Sequence, residues 1–199
     1  MIRNVIFDIG LVLIRFDWDA YMRMLFDDAD TRRAVTAAMW QNPDWNELDR
    51  GVLTLDEVLA LFTENAPEYA DAIREALMRL GEAPEKQPYA IPWIEALKAK
   101  GYRVYYLSNY FEYLMQEAPQ VLDFLPHTDG GVFSCHEKIT KPDPEIYRRL
   151  CARFSLRPEE CVFLDDTQAN VDAARAYGMQ AIRFENYEQA NAALLELLQ

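Results

Sequence analysis

The chain has 199 residues, 33 of them acidic and 20 basic, for a net charge of −13 and a pI near 4.6. Half of the residues are hydrophobic and 13% aromatic, ample for a packed core and incompatible with a disordered chain. The acidic balance argues against a nucleic-acid partner or an anionic membrane surface, because no excess of cations exists to replace phosphate counterions.

The first fourteen residues are apolar but carry Arg3 and Asp8, too short and too charged for a membrane span or a secretory leader. Within them, IRNVIFDI reads as a buried strand ending at Asp8. Arg15 to Glu85 contains no convincing strand. Thr54 and Glu57 form a capping box ahead of Leu55, Val58, Leu59 and Phe62 at helical spacing. Tyr69, Ile73, Leu77 and Leu80 give a second apolar stripe ending at Gly81. This segment holds 16 acids and 7 bases, so it carries −9 of the total charge. It reads as a helical subdomain, residues 15–85, inserted into a core made of residues 1–14 and 86–199.

The core then alternates. Ala90–Lys100 reads as a helix closed by Gly101, and Arg103–Ser108 as a strand. Asp143–Phe154 opens with Asp-Pro, an N-cap followed by a first-turn proline. Cys161–Asp165 and Met179–Phe184 read as strands, with helices at Gln168–Tyr177 and Tyr187–Leu198. Strands separated by helices imply parallel crossovers, hence an open, Rossmann-like α/β sheet with helices on both faces. Cys135, Cys151 and Cys161 form no CxxC pair. Free thiols in a reducing cytoplasm, with no zinc site and no disulfide, are the expectation.

Ligands of open α/β sheets bind beyond the carboxyl ends of the strands. Asp8, Ser108 and the pair Asp165–Asp166 end three predicted strands, and Lys141 precedes a helix. Two or three carboxylates can hold Mg²⁺, a hard cation that prefers oxygen ligands. Asp8 can attack phosphorus to form an acyl phosphate. Ser108 and the backbone amide of Asn109 can bind phosphate oxygens, while Lys141 supplies positive charge.

FDIGLVLI at Phe7–Ile14, LSN at Leu107–Asn109, KPDPEIY at Lys141–Tyr147 and FLDDTQAN at Phe163–Asn170 resemble the four motifs of the haloacid dehalogenase superfamily. The inserted helices resemble the helical cap of one of its subfamilies, as does WNELDRGVLTLDEV at Trp45–Val58. The resemblance implies that Asp8 is nucleophile and Mg²⁺ ligand, Ser108 the phosphate binder and Lys141 the charge stabiliser. It implies Asp166 as a metal ligand, Asp165 behind it, and Asn170, four residues after Asp166, orienting a metal-bound water. Most phosphatases of the family carry a second Asp two residues after the nucleophile as general acid and base; this chain has Gly10. Glycine can offer its carbonyl to the metal but no proton. Asp-x-Gly also occurs in a subgroup resembling sugar-1-phosphate phosphatases, there followed by Asn-Val rather than Leu11-Val12.

The expected function is a Mg²⁺-dependent phosphomonoesterase acting on a small phosphorylated metabolite, with sugar 1-phosphates as one class. Trp18, Trp40 and Trp45 either stack on such a sugar or pack the inserted helices. The alternatives are a 2-haloacid dehalogenase and a catalytically weak phosphate-binding protein. The sequence leaves the oligomeric state open.

Overall fold

The computed structural model describes Met1–Leu198. β1 (Asn4–Phe7) leads through a tight turn to β2 (Ile14–Phe16) and then to five inserted helices. These are α1 (Trp18–Leu25), α2 (Ala29–Ala38), α3 (Trp45–Arg50), α4 (Leu55–Asn65) and α5 (Ala70–Met78). β3 (Pro84–Lys86) returns the chain to α6 (Ala90–Ala99), β4 (Arg103–Ser108) and α7 (Glu112–Glu117). β5 (Gly130–Phe133), α8 (Ser134–Glu137), α9 (Pro144–Phe154), β6 (Cys161–Asp165), α10 (Gln168–Ala176), β7 (Gln180–Arg183) and α11 (Tyr187–Leu197) complete it.

The main sheet is fully parallel, in the order β5-β4-β1-β6-β7. Every residue of β1 is buried, as expected of a central strand covered on both faces. Alternation along the strands divides the interior into two cores. Val5 and Phe7 of β1 pack with Trp93, Ile94 and Leu97 of α6 and Leu194 of α11. Ile6 packs oppositely with Ile146, Tyr147 and Leu150 of α9 and Val171 of α10. The expected α/β layering is therefore present.

Two expectations need correction. The inserted segment is not free of strand, because β2 and β3 pair antiparallel where the chain leaves and re-enters the core, with Arg15 opposite Glu85. Three-residue strands carry too little alternation to register in a sequence. The second is β5, which sequence reading passes over because Gly130 and Gly131 weaken a strand signal. Here glycine is demanded by close approach: a Cβ on Gly131 would lie 2.4 Å from the ring and the carbonyl of Tyr106.

The helix signals hold where they were strongest. Thr54 and Glu57 form the full reciprocal capping box at the start of α4, and Asp143 caps α9 ahead of Pro144. Val58, Leu59, Phe62, Ile73, Leu77 and Leu80 are all buried. The three cysteines are buried and unbridged. Cys135, Glu112 and His136 bring side-chain atoms within 4.8 Å of one another, but burial pushes the thiol up to about 11, and His136 Nε2 lies 3.0 Å from Glu112 Oε2. Among the described residues, no helix is long and apolar enough to cross a membrane.

Candidate active site

The strand order reverses direction at β1: β4 and β5 lie on one side, β6 and β7 on the other. That switch point is where a parallel sheet opens a crevice at its carboxyl edge. Asp8 follows β1 there, and its own N–H is still tied to the Leu164 carbonyl of β6 at 2.8 Å. The chain then turns sharply, with the amides of Val12, Leu13 and Ile14 all donating to the Ile9 carbonyl. The left-handed residue of this turn is Leu11, at φ 59°, and not Gly10. A Cβ on Gly10 would meet nothing within 4 Å.

Lys141 comes from the loop between α8 and α9. Asn109 clasps its backbone from both sides, accepting from the Lys141 amide at 2.7 Å and donating to its carbonyl at 3.1 Å. The Lys141 ammonium, 1% exposed, lies 2.8 Å from Asp8 Oδ1 and 2.6 Å from Asp165 Oδ2. Burial opposes its charge, but the two carboxylates outweigh that and hold the ammonium firmly protonated.

Asp165 is completely buried. Besides Lys141 it accepts from the Thr167 amide at 2.8 Å and from the Asn170 side-chain amide at 3.0 and 3.1 Å. With its oxygens so occupied, Asp165 orients its neighbours. Asn170 therefore reaches Asp165 and not Asp166. The four-residue spacing of Asp166 and Asn170, which in a helix would put both on one face, does not do so here, because α10 begins only at Gln168.

Asp8, Asp165 and Asp166 bring carboxylate oxygens within 4.8 Å of one another. Burial pushes Asp8 up to about 7, against the pull of Lys141 and with the help of the other two carboxylates. Asp166 is raised by the same causes, burial first and Asp165 second. Three carboxylates thus share one ammonium. An all-oxygen donor set with surplus negative charge fits a hard divalent cation.

A cavity of about 290 Å³ covers these groups. The core contributes Asp8, Gly10, Asn109, Tyr110, Phe111, Lys141, Asp166 and Asn170 to its lining; the inserted segment contributes Phe16, Trp40, Trp45 and Asp49. Ser108 is fully buried at the end of β4 and its hydroxyl lies 3.4 Å from the Asn109 carbonyl. Asp8, Gly10, Asn109, Lys141, Asp166 and Asn170 therefore converge on the cavity, whereas Ser108 and Asp165 stand behind its lining.

The aromatic candidates separate. Trp18 is buried, and its indole N–H donates to Thr36 at 2.8 Å, so it packs helices. Trp40 and Trp45 line the cavity in edge-to-face contact, centroids 5.1 Å apart.

Sequence reading missed Asp49. It stands in α3 between Leu48 and Arg50, where an acid on a short charged helix reads as a solvated face. It is instead 8% exposed and lines the cavity. Its backbone carbonyl accepts from Ser134 Oγ, which also accepts the Tyr110 amide at 3.0 Å. Gly51 ends α3 at φ 63°, and a Cβ there would lie 2.8 Å from Cys135 Cβ. Close approach of insertion to core thus seats Asp49.

A strand-end aspartate backed by a buried lysine and further carboxylates, at the switch point of a parallel sheet, defines an aspartate-centred hydrolase fold. The model of the haloacid dehalogenase-like hydrolases matches residues 2–178, and the chain belongs to that family. It is 28% identical to a D-ribitol-5-phosphate phosphatase of Bacteroides thetaiotaomicron, over 94% of this chain and 93% of that one. It is also 28% identical to the mouse acyl-CoA dehydrogenase family member 10, over 98% of this chain but only 19% of that protein. The chain thus spans under two-fifths of the length of some curated relatives it matches, 37% in a drimenol cyclase of Aspergillus calidoustus. Its fold is that of a predicted HAD-like family hydrolase from Porphyromonas gingivalis, at TM-score 0.74, 24% identity, and coverage of 100% and 98% of the two chains.

Proposed function

We propose that the chain is a divalent-metal-dependent phosphomonoesterase that transfers the phosphoryl group of a small phosphorylated metabolite to Asp8 and then to water. The observation carrying this reading is the charge imbalance: three carboxylates within 4.8 Å of one another and one buried ammonium. A phosphate dianion would be repelled from such a floor unless a cation joined it. Asp8, the Gly10 carbonyl and Asp166 would hold that cation, and magnesium is the ion we assign. When bound, it neutralises charge between nucleophile and phosphate.

The remaining work falls to the chain's own groups. Asp8 attacks phosphorus through a carboxylate oxygen. Lys141 compensates charge developing on the phosphoryl oxygens and offsets part of the burial that disfavours the Asp8 carboxylate. The Asn109 amide and the Ser108 hydroxyl bind phosphoryl oxygens. Asp165 and the Asn109 side chain act indirectly, by fixing Lys141 at its head and at its backbone, which leaves the Asn109 backbone amide for the phosphate. Asn170, held by Asp165, orients water. The aromatic walls exclude bulk solvent and accept the metabolite's carbon skeleton, the C–H face of a sugar included. The phosphatase relative, and a 19%-identical Bacteroides fold relative solved with magnesium and inorganic phosphate, support the same reading.

A 2-haloacid dehalogenase is the competing reading, favoured by Gly10 and by a 30%-identical (S)-2-haloacid dehalogenase matched over 48% of the chain. Such an enzyme needs Asp8 and no metal. Turnover of p-nitrophenyl phosphate by native protein and by Asp8→Asn, with Mg²⁺ or with EDTA, decides between them. Mg²⁺-dependent hydrolysis lost in Asp8→Asn is expected. Absence of any phosphatase activity, with EDTA-resistant release of halide from 2-chloropropionate, would overturn the proposal.

A further inference from the structure

The geometry points to Asp49 as the general acid and base of the reaction, supplied by the inserted helices in place of the side chain that Gly10 lacks. This inference rests on the phosphatase reading above. Among the residues that the inserted segment contributes to the cavity, Asp49 is the one ionisable side chain; the others are Phe16, Trp40 and Trp45. Its side chain is more than nine-tenths buried, and among the described residues no hydrogen bond or ion pair reaches its carboxyl group. A buried acid without a partner is expensive to retain in a fold. Such groups concentrate where a proton must be moved.

Position supports the same conclusion. In phosphoryl transfer the attacking and departing oxygens lie roughly in line through phosphorus. Asp8 attacks from the sheet, so the departing oxygen faces the inserted helices, from which Asp49 projects into the shared cavity. Burial also raises the Asp49 carboxyl to about 7, with Lys141 pulling the other way. Near neutral pH it therefore holds a proton it can give. The groups facing it are Lys141, the Tyr110 hydroxyl and the Cys135 thiol, and burial keeps the last two protonated.

A carboxylate oxygen of Asp8 forms a bond to phosphorus as the ester P–O bond breaks. The departing oxygen takes the Asp49 proton and leaves as an alcohol. Asp49, now a carboxylate, accepts a proton from the water that attacks the phosphoryl group on Asp8. That attack releases inorganic phosphate, regenerates Asp8 and reprotonates Asp49. Tyr110 is the rival donor, since its buried hydroxyl has no hydrogen-bond partner among the described residues and Tyr110 lines the same cavity.

The test compares native protein, Asp49→Asn and Tyr110→Phe with Mg²⁺ on 2,4-dinitrophenyl, p-nitrophenyl, phenyl and n-butyl phosphates. Asparagine resembles the neutral acid in size and hydrogen bonding but carries no transferable proton. For Asp49→Asn we expect kcat/KM on butyl and phenyl phosphates to fall by about 10²–10⁴-fold. On the dinitrophenyl ester, whose leaving group needs no proton, kcat/KM should stay within roughly threefold of native. That retention also shows the variant is folded. With the same ester, a stoichiometric burst of dinitrophenolate followed by slow turnover should report the loss of the base for the second step. Equal losses on all four esters, no loss on any, or the selective pattern in Tyr110→Phe instead would overturn the assignment. Native protein inactive on every ester would overturn the phosphatase reading itself, and this inference with it.

Discussion

Lys141 places its ammonium 2.8 Å from Asp8 in a setting where the two side chains are 1% and 9% exposed. Neither charge is solvated, so each is tolerated only because of the other and of Asp165. Removing one member of such a pair leaves an uncompensated charge in the interior, which destabilises by about 3–5 kcal/mol. Lys141→Met is therefore expected to lose stability on that scale, measured by urea denaturation without metal. Adding Asp165→Asn should recover part of it. A single variant as stable as native would show that water or a rearranged chain already screens the carboxylates.

Asp166 is held above its ordinary pKa by burial and by Asp165, so without a cation it strains the fold. Asp166→Ala should abolish phosphatase turnover yet leave the apo protein at least as stable as native. The sharper readout is thermal: millimolar Mg²⁺ should raise the Tm of native protein and not that of the variant. Equal Mg²⁺ shifts in both would move the cation away from Asp166.

Two glycines flank the chemistry and should respond oppositely to alanine. Gly51 adopts φ 63° with Cys135 pressed against it. Gly51→Ala should cost about 2 kcal/mol from the left-handed backbone and the clash, and it should lower turnover by displacing Asp49. Gly10 has ordinary φ and open space, so Gly10→Ala should leave stability unchanged or raise it by about 0.4–1 kcal/mol. A large loss in Gly10→Ala would contradict the open space around it.

The raised carboxyl of Asp49 has a thermodynamic sign. Burial raises its pKa to about 7 in the fold, above the roughly 3.9 of a solvated aspartate, so the folded state binds the proton more tightly than the unfolded chain. Stability tied to this group is complete below pH 4 and is lost progressively as pH rises to about 7. At about 1.4 kcal/mol per pKa unit, the loss amounts to a few kcal/mol. Asp49→Asn should consequently stabilise the protein at pH 8 and change it little at pH 4, in paired denaturation curves. A stabilisation independent of pH would show that Asp49 is ionised throughout.

Much of this architecture is written locally. The strands around Val5, Val104 and Val162 are continuous apolar runs, and the caps at Thr54 and Asp143 mark helix starts without help from the fold. Asp8, Ser108, Lys141 and Asp165–Asp166 stand out because each ends a strand or precedes a helix. What was illegible depends on distant partners. Gly131 belongs to a strand because Tyr106 packs on it, and Asp49 is buried because Ser134 and Cys135 hold the end of α3 against the core. Neither contact leaves a mark within its own segment. A faint signal did exist at Asp49, an acid near the carboxyl end of a helix, where the dipole disfavours it.

The ribbon of β2 and β3 is the passage by which the chain enters and leaves the inserted helices. Because its two strands lie side by side, the chain leaves and re-enters the core at neighbouring points, and the insertion rests on the core through α3 at Ser134 and Cys135. Exchanging it between Arg15 and Glu85 keeps every residue of the main sheet, Asp8 and Lys141 in the chain, provided the new segment also covers the shared core around Phe7 and Phe111. The insertion carries both the aromatic walls and Asp49, so exchange would transfer substrate preference and proton donor together. A chimaera that imported foreign walls while keeping Gly10 would inherit whatever proton chemistry its donor insertion carried. The natural unit of redesign in this chain is therefore the pair formed by residue 10 and the insertion.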